Sequence, residues 1–189
     1  MRILGCMSLL SLLLATAFAN TGKTVIAADE PGKVIVLGRE AKLISPAGWK
    51  QKTPRSRIIA YEFAAPAAKG DEIDGRMTIM AAGGSIKQNI ERWYGQFTQP
   101  DGKPTKDRAR VEKKKIDGRE VHLVDIAGTY KDRPGPFAGA GVDRENYRML
   151  AAIIVTGDVN FYVKFYGPQK TVSQQREAFL TMLDGMQRP

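Results

Sequence analysis

Two tight turns constrain this chain more than any other feature. Asp117-Gly118 stands between the β-patterned segments 111–116 and 119–130, and Gly157-Asp158 stands between 147–156 and 161–166. An Asp-Gly pair readily supplies the left-handed backbone of a tight hairpin, whose twist matches that of the flanking strands. Strands joined by such short turns run antiparallel, because a parallel pair needs a long crossover. The second half of the chain is therefore predicted to build an antiparallel sheet. Strand-like segments at 34–37, 41–45, 58–64 and 77–82 extend it from the first half.

Two amphipathic helices interrupt the strands. After Gly83-Gly84, the residues Ile86, Ile90, Trp93, Tyr94 and Phe97 recur at spacings of three and four, while Lys87, Gln88, Glu91 and Arg92 face away. Ser85 followed by Gln88 reads as a capping box, and Pro100-Asp101-Gly102 ends the segment. A second box, Thr171 with Gln174, is expected to start the last helix, whose apolar stripe is Val172, Phe179, Leu183 and Met186, widened by Met182. Each helix needs a sheet face on which to bury its stripe. In 119–130 one face carries Val121, Leu123 and Ala127, the other His122, Val124 and Ile126, so both faces look covered. The expected fold class is α+β: a three-layer α-β-α sandwich with a central antiparallel sheet and two principal amphipathic helices.

The first residues read as an export signal. Met1-Arg2 gives a short positive start, residues 3–19 are an almost unbroken apolar run, and Ala17-Phe18-Ala19 is a small-x-small cleavage pattern. Cleavage is expected before Asn20, with Val25-Ile26-Ala27 as a second possible site. Retention as an anchor is disfavoured, since the run sits at the lower edge of a spanning length and contains Ser8, Ser11 and Thr16. A lipidated Cys6 is disfavoured because the apolar segment mostly follows it. The expected organisation is a signal peptide at 1–19, a flexible lead-in at 20–32, and a single domain at 33–189. The mature chain is then secreted or periplasmic, without a transmembrane helix. It also lacks cysteine, so neither a disulfide nor a thiolate metal site is available.

The charge is strongly basic, with 29 lysines and arginines against 20 aspartates and glutamates. Much of the excess lies between Lys103 and Arg119, where eight cations face only Asp107, Glu112 and Asp117. Such a field steers anionic partners, and Lys113, Lys114, Lys115 and Arg119 are its candidate contacts. The plainer reading is a solvated hairpin whose lysines protect a sheet edge. Export argues against nucleic acid as a partner, and no recognition motif is present.

Catalytic and cofactor chemistry finds no motif. The single histidine, His122, alternates with apolar strand residues and reads as a half-buried histidine with one hydrogen bond. Without cysteine or further histidines an ordinary zinc site is not expected. Ser45, Ser56, Ser85 and Ser173 stand in no nucleophile-elbow sequence. The glycines around Gly95 and Gly139–Gly141 do not fit phosphate or dinucleotide loops. Asp71, Glu72 and Asp74 lack the spacing of an EF-hand and fit a solvated turn at Asp74-Gly75 better. No cofactor and no metal are expected.

Two loops keep functional weight. Residues 131–143 hold Pro134, Pro136, Phe137 and three glycines, more chain than a hairpin needs. Phe137 is either a lid tucked under the sandwich or an exposed anchor. Trp49 follows Pro46-Ala47-Gly48 beside Lys50 and Lys52, and is either core edge packing or an aromatic contact for anionic ligands.

The order of elements resembles the fold shared by the PsbP-like extrinsic subunits of photosystem II and the Mog-type factors that bind the GTPase Ran. The residues Gly135-Pro136-Phe137-Ala138, Tyr147-Arg148-Met149-Leu150-Ala151-Ala152-Ile153-Ile154, Tyr162-Val163-Lys164-Phe165-Tyr166-Gly167-Pro168 and Thr171-Val172 look still closer to uncharacterised secreted bacterial proteins. The resemblance implies a non-catalytic accessory or binding domain. With the export signal, the leading expectation is a domain of the bacterial cell envelope that binds another envelope protein through the Phe137 loop or a sheet face. It transfers no site. The alternatives are electrostatic attachment to an anionic membrane surface or polymer through the basic hairpin, and, last, an enzyme with an unfamiliar site.

Overall fold

The computed structural model of the protein describes residues 31–133, 141–157 and 159–189. Ten strands run in chain order: β1 Val34–Leu37, β2 Ala41–Ile44, β3 Lys50–Lys52, β4 Tyr61–Ala65, β5 Gly75–Ala82, β6 Phe97–Thr98, β7 Arg110–Ile116, β8 Arg119–Asp132, β9 Val142–Val155 and β10 Asn160–Pro168. The helices are α1 Ile86–Tyr94, α2 Gln169–Gln174 and α3 Arg176–Asp184. Strands β1 and β2 form a separate hairpin. The other eight make one sheet in the order β3-β4-β5-β10-β9-β8-β6, with β7 also pairing with β8. Every pairing is antiparallel, and the fold is α+β.

The turns act as their residues dictate. Asp117 (φ 47°) and Gly118 (φ 79°) both adopt the left-handed conformation, and the register Ile116↔Arg119 closes the β7–β8 hairpin around them. Strand β9 turns into β10 at Val155↔Asn160. Ser85 Oγ accepts from the Gln88 backbone N–H at 3.5 Å, the first half of the expected capping box.

Alternation along β9 divides the core in two. Leu150, Ala152 and Ile154 pack with Phe179, Met182 and Leu183 of α3 and with Ile35, Leu37, Ala41 and Leu43 of the β1–β2 hairpin. Met149, Ala151 and Ile153 pack with Ile90 and Trp93 of α1. Successive strand residues point to opposite sides, so α1 and α3 bury their stripes on opposite faces of the sheet.

Phe97, expected on the α1 stripe, falls in β6, Met186 lies past the end of α3, and the last helix starts differently from the expectation. Thr171 does not cap the last helix: α2 begins at Gln169, preceded by Pro168, and Thr171 lies inside it with no exposed surface. Its backbone N–H and its hydroxyl both donate to Asp71 Oδ2, at 2.9 and 2.6 Å. Proline can open a helix because it has no N–H to leave unsatisfied there. That moves the helix cap three residues earlier, from Thr171 to Pro168, and the distant Asp71 supplies the acceptor.

Candidate functional site

Helix α1 is short and covers only part of its sheet face. Along β10, Tyr162 lies beneath it, meeting Trp93 edge-on at 6.1 Å and accepting a hydrogen bond from Asn89 Nδ2 at 2.9 Å. Two residues on, Lys164 Nζ donates to Oε1 of Gln96, just past the helix end, at 2.6 Å. Two residues further, Tyr166 lines an open cleft. The strand alternation places Tyr162, Lys164 and Tyr166 on this face, while Phe161, Val163 and Phe165 enter the opposite core.

The uncovered end of the face is a cleft of about 730 Å³ whose lining includes Arg55, Glu62, Arg76, Tyr130, Asp132, Arg144, Tyr147 and Tyr166. Its floor is aromatic. Tyr130 and Tyr147 stack with centroids 6.0 Å apart and ring planes 5° from parallel, and Tyr130 meets Tyr166 at 5.1 Å. Lys164 Nζ sits 4.6 Å from the Tyr166 centroid and 5.0 Å from that of Tyr130, within cation–π reach of both.

The charged walls are built as pairs. Arg76 on β5 forks onto Glu62 of β4, Nε to Oε1 at 2.9 Å and Nη2 to Oε2 at 2.8 Å, while its Nη1 donates to the Tyr166 hydroxyl at 2.6 Å. Arg144 Nε donates to Asp132 Oδ2 at 2.8 Å, and its guanidinium lies over the Tyr147 ring. Arg144 reaches this face through an irregularity. The register passes from Gly128↔Tyr147 to Tyr130↔Arg144, which places an extra residue in β9, and Asn146 there takes a left-handed φ of 53°. Such a bulge re-aims the side chains beyond it.

These contacts set the protonation of the site. The Arg76 fork holds the Glu62 carboxyl below its usual range against the opposing effect of burial, and Arg76 is in turn held more firmly protonated by Glu62. Desolvation, reinforced by the Arg76 guanidinium and opposed by Asp132, pushes the Lys164 ammonium down to about 7. Desolvation also raises the Tyr130 and Tyr147 phenols, so both are neutral at physiological pH.

Of the residues expected to bind, none that is described lines this cleft. Trp49 takes the core-packing one of its two readings and not the binding one: it is 3% exposed, packs on Phe165 with centroids 4.7 Å apart, and donates Nε1–H to Gln175 Oε1 at 3.0 Å. The flanking Lys50 and Lys52 stay in solvent, while the indole is drawn into the larger apolar core, as its area favours. Phe137 lies outside the described residues. On the basic hairpin, Lys113 pairs with Glu120, Lys114 with Asp184 of α3, and Arg119 with Asp117. Arg119 also donates to the Glu40 carbonyl. Only Lys115 of the four has no ion pair among the described residues. The hairpin thus carries much of its own neutralisation, and β7 forms a charged sheet edge. His122 is half-buried, with Nε2 2.6 Å from Glu120 Oε1.

Among the described residues no cluster of three or more His, Cys, Asp or Glu could hold a metal ion, and no helix is long and apolar enough to cross a membrane. The cleft was not singled out from sequence. The available signal was Lys164 in a strand apolar on one face and tyrosine-rich on the other.

Comparison with known proteins bears on the fold. No family model matches the chain, and no curated protein matches it. Among solved structures, the cyanobacterial PsbP (CyanoP) of Synechocystis sp. PCC 6803 matches 89% of this chain and 96% of its own length at 11% identity, with a TM-score of 0.50. A protein of unknown function from Pseudomonas aeruginosa covers 82% of this chain and 95% of its own at 12% identity and a TM-score of 0.44. A Bacteroides thetaiotaomicron protein covers 84% of this chain but 48% of its own, at 14% identity and a TM-score of 0.46. The fold of this chain is PsbP-like.

Proposed function

We propose that this chain is a secreted or periplasmic, non-catalytic accessory domain of the bacterial cell envelope that binds another envelope protein. It does so as a three-layer α-β-α sandwich, a form also used by Mog-type factors, with a signal peptide removed before Asn20. The observation that supports binding most directly is the arginine- and tyrosine-lined cleft on the sheet face that α1 leaves open. Arginine and tyrosine are the residues that most often dominate binding energy at protein interfaces. The arrangement favours binding over catalysis. Ser56 lines the cleft, but the one histidine is on β8, paired with Glu120, and Glu62 is held by Arg76. The exposed Lys113 on the β7 edge keeps electrostatic attachment to an anionic surface or polymer as the second reading.

The test is affinity capture from an envelope extract of the native host at low and high salt. The bait is the full-length-encoded, C-terminally tagged chain. A discrete protein retained at high salt, and lost with Arg144→Glu but not with Lys113, Lys114 and Lys115 all changed to Glu, supports the cleft. Capture that vanishes with salt and with the triple change moves the function to the hairpin.

A further inference from the structure

The cleft is more specific than a generally polar surface, because its hydrogen-bonding groups are unequally spent. On the acceptor side, both oxygens of Glu62 are taken by Arg76, Asp132 Oδ2 is taken by Arg144, and Asp74 Oδ1 accepts from the Ala67 backbone N–H at 3.1 Å. On the donor side, Arg144 commits Nε to Asp132 and keeps donors to spare on its two terminal nitrogens, since a guanidinium carries five N–H groups. Arg55 forms no ion pair among the described residues. The Tyr166 hydroxyl oxygen accepts from Arg76, so its own proton is directed away from that guanidinium. Four arginines line the cleft against three carboxylates, one of the four, Arg133, being paired with Asp143, and Lys164 lies against the same tyrosine floor.

A site whose three carboxylates are each engaged by a donor, while Arg144 and Arg55 keep guanidinium donors free of ion pairs or only partly spent, favours a ligand that brings acceptors and negative charge. Planar guanidinium groups match carboxylate and phosphate oxygens in geometry as well as charge. The aromatic floor and a volume within the range of small-molecule sites add room for an uncharged body attached to that group. We infer that this cleft binds an oxyanion, a carboxylate or phosphate carried on a small polar ligand or on the partner itself, with Arg144 and Arg55 as its direct contacts and Arg76 as the group that positions Tyr166. The inference rests on the cleft being a binding site, as proposed above, and names what it recognises.

The experiment is a backbone-amide NMR titration of the host-processed full-length chain at constant ionic strength, with inorganic phosphate, glucuronate and glucose as three separate probes. Phosphate or glucuronate is expected to give saturable shifts centred on residues 55, 76, 144 and 166, with glucose giving none. The tighter of the two anions tells whether the site takes a phosphate or a carboxylate, and the partner capture above tells whether the partner carries it. Arg144→Gln is expected to weaken binding by about tenfold or more, the scale of losing a charged partner, while Lys113→Gln leaves it unchanged. A circular-dichroism melt of Arg144→Gln separates lost binding from lost fold, and Arg55→Gln provides a second, independently exposed variant. Equal shifts with glucose, shifts centred on residues 103–119, or unchanged affinity in folded Arg144→Gln overturn the inference. The two readings also fail separately. Partner capture that depends on Arg144 without any oxyanion binding removes only the oxyanion. Oxyanion binding with capture indifferent to Arg144 removes the cleft as the protein-binding surface and leaves the oxyanion site standing.

Discussion

Arg144 and Tyr147 stand three residues apart on β9, yet the Arg144 guanidinium carbon lies over the Tyr147 ring, 6.0 Å from its centroid. In an unbroken strand an odd separation puts two side chains on opposite faces. The extra residue that β9 carries opposite Thr129 cancels that alternation, and the Asp132 carboxylate then fixes the guanidinium in place. The cleft therefore depends on backbone irregularity as much as on side-chain identity.

Asn146 is the residue that makes the irregularity tolerable. Asparagine accepts a left-handed backbone far better than a β-branched residue does. Asn146→Val is expected to destabilise the fold by about 1–2 kcal/mol and Asn146→Gly to leave it nearly unchanged. Urea unfolding measures the cost. Loss of the ring-current shift on the Arg144 side chain in the valine variant would show that the guanidinium has left Tyr147.

The Glu62–Arg76 fork carries a pH-dependent share of stability. The folded state holds the Glu62 carboxyl below its ordinary value of 4.5, so the pair stabilises above that value, and its contribution is lost as pH falls through the depressed one. The Arg76 side chain is 38% exposed, which places the pair between a surface and a buried ion pair. Glu62→Gln should accordingly cost about 1–2 kcal/mol at neutral pH. Chemical denaturation across the acid range is expected to show the two proteins converging. A constant gap would mean that Glu62 acts through packing alone.

Sequence and structure part company at identifiable places. The β7–β8 hairpin and the α1 stripe are legible because each is encoded within a few residues: Asp117-Gly118 sets the turn, and Ile86, Ile90 and Trp93 set the buried face. The start of β9 is not legible, because Val142 to Arg144 is mostly polar and is held extended by pairing with Tyr130–Asp132 rather than by its own pattern. Thr171 matches a local capping box, but its partner Asp71 is 100 residues away, and local matching cannot weigh that contact. The cleft draws Arg76 from β5, Tyr130 from β8, Arg144 and Tyr147 from β9 and Tyr166 from β10, so no stretch of sequence contains it.

Asp71 thus becomes a stability residue rather than a solvated turn carboxylate. It accepts two hydrogen bonds from one buried threonine, which ties the β4–β5 connection to α2. Asp71→Ala is expected to lower stability by about 1–3 kcal/mol, the cost of leaving buried donors unsatisfied. Amide hydrogen exchange should localise the loss to residues 169–175. Unchanged protection there would count against the tie.

Trp49 separates core from surface roles. Its truncation to alanine removes the contact with Phe165 and the hydrogen bond to Gln175, for an expected loss of about 3–5 kcal/mol. Oxyanion affinity, measured on the fraction that remains folded, is expected to stay at the native value because Trp49 packs with the Phe165 core, on the sheet face opposite the cleft. A fall in that affinity would return Trp49 to the binding surface.

Lys164 gives the fold an alkaline signature whose sign follows from its surroundings. The unfolded lysine keeps its proton up to its ordinary value of 10.5, while desolvation in the fold releases it at about 7. Between those values the unfolded state holds more protons, so stability rises with pH, at most by about 1.4 kcal/mol per pH unit. The rise ends near the ordinary tyrosine value of 10.0, because there the unfolded phenol of Tyr130 ionises while the buried one does not, which favours unfolding. Lys164→Met removes the first effect and leaves the second. It also leaves Gln96 Oε1 without its donor, so the slope between about pH 7 and 10, rather than the absolute stability, is the quantity to compare. A positive slope in the native chain that flattens in the methionine variant places the proton release on Lys164. Equal slopes in both proteins would show that its ammonium survives intact above the two tyrosine rings.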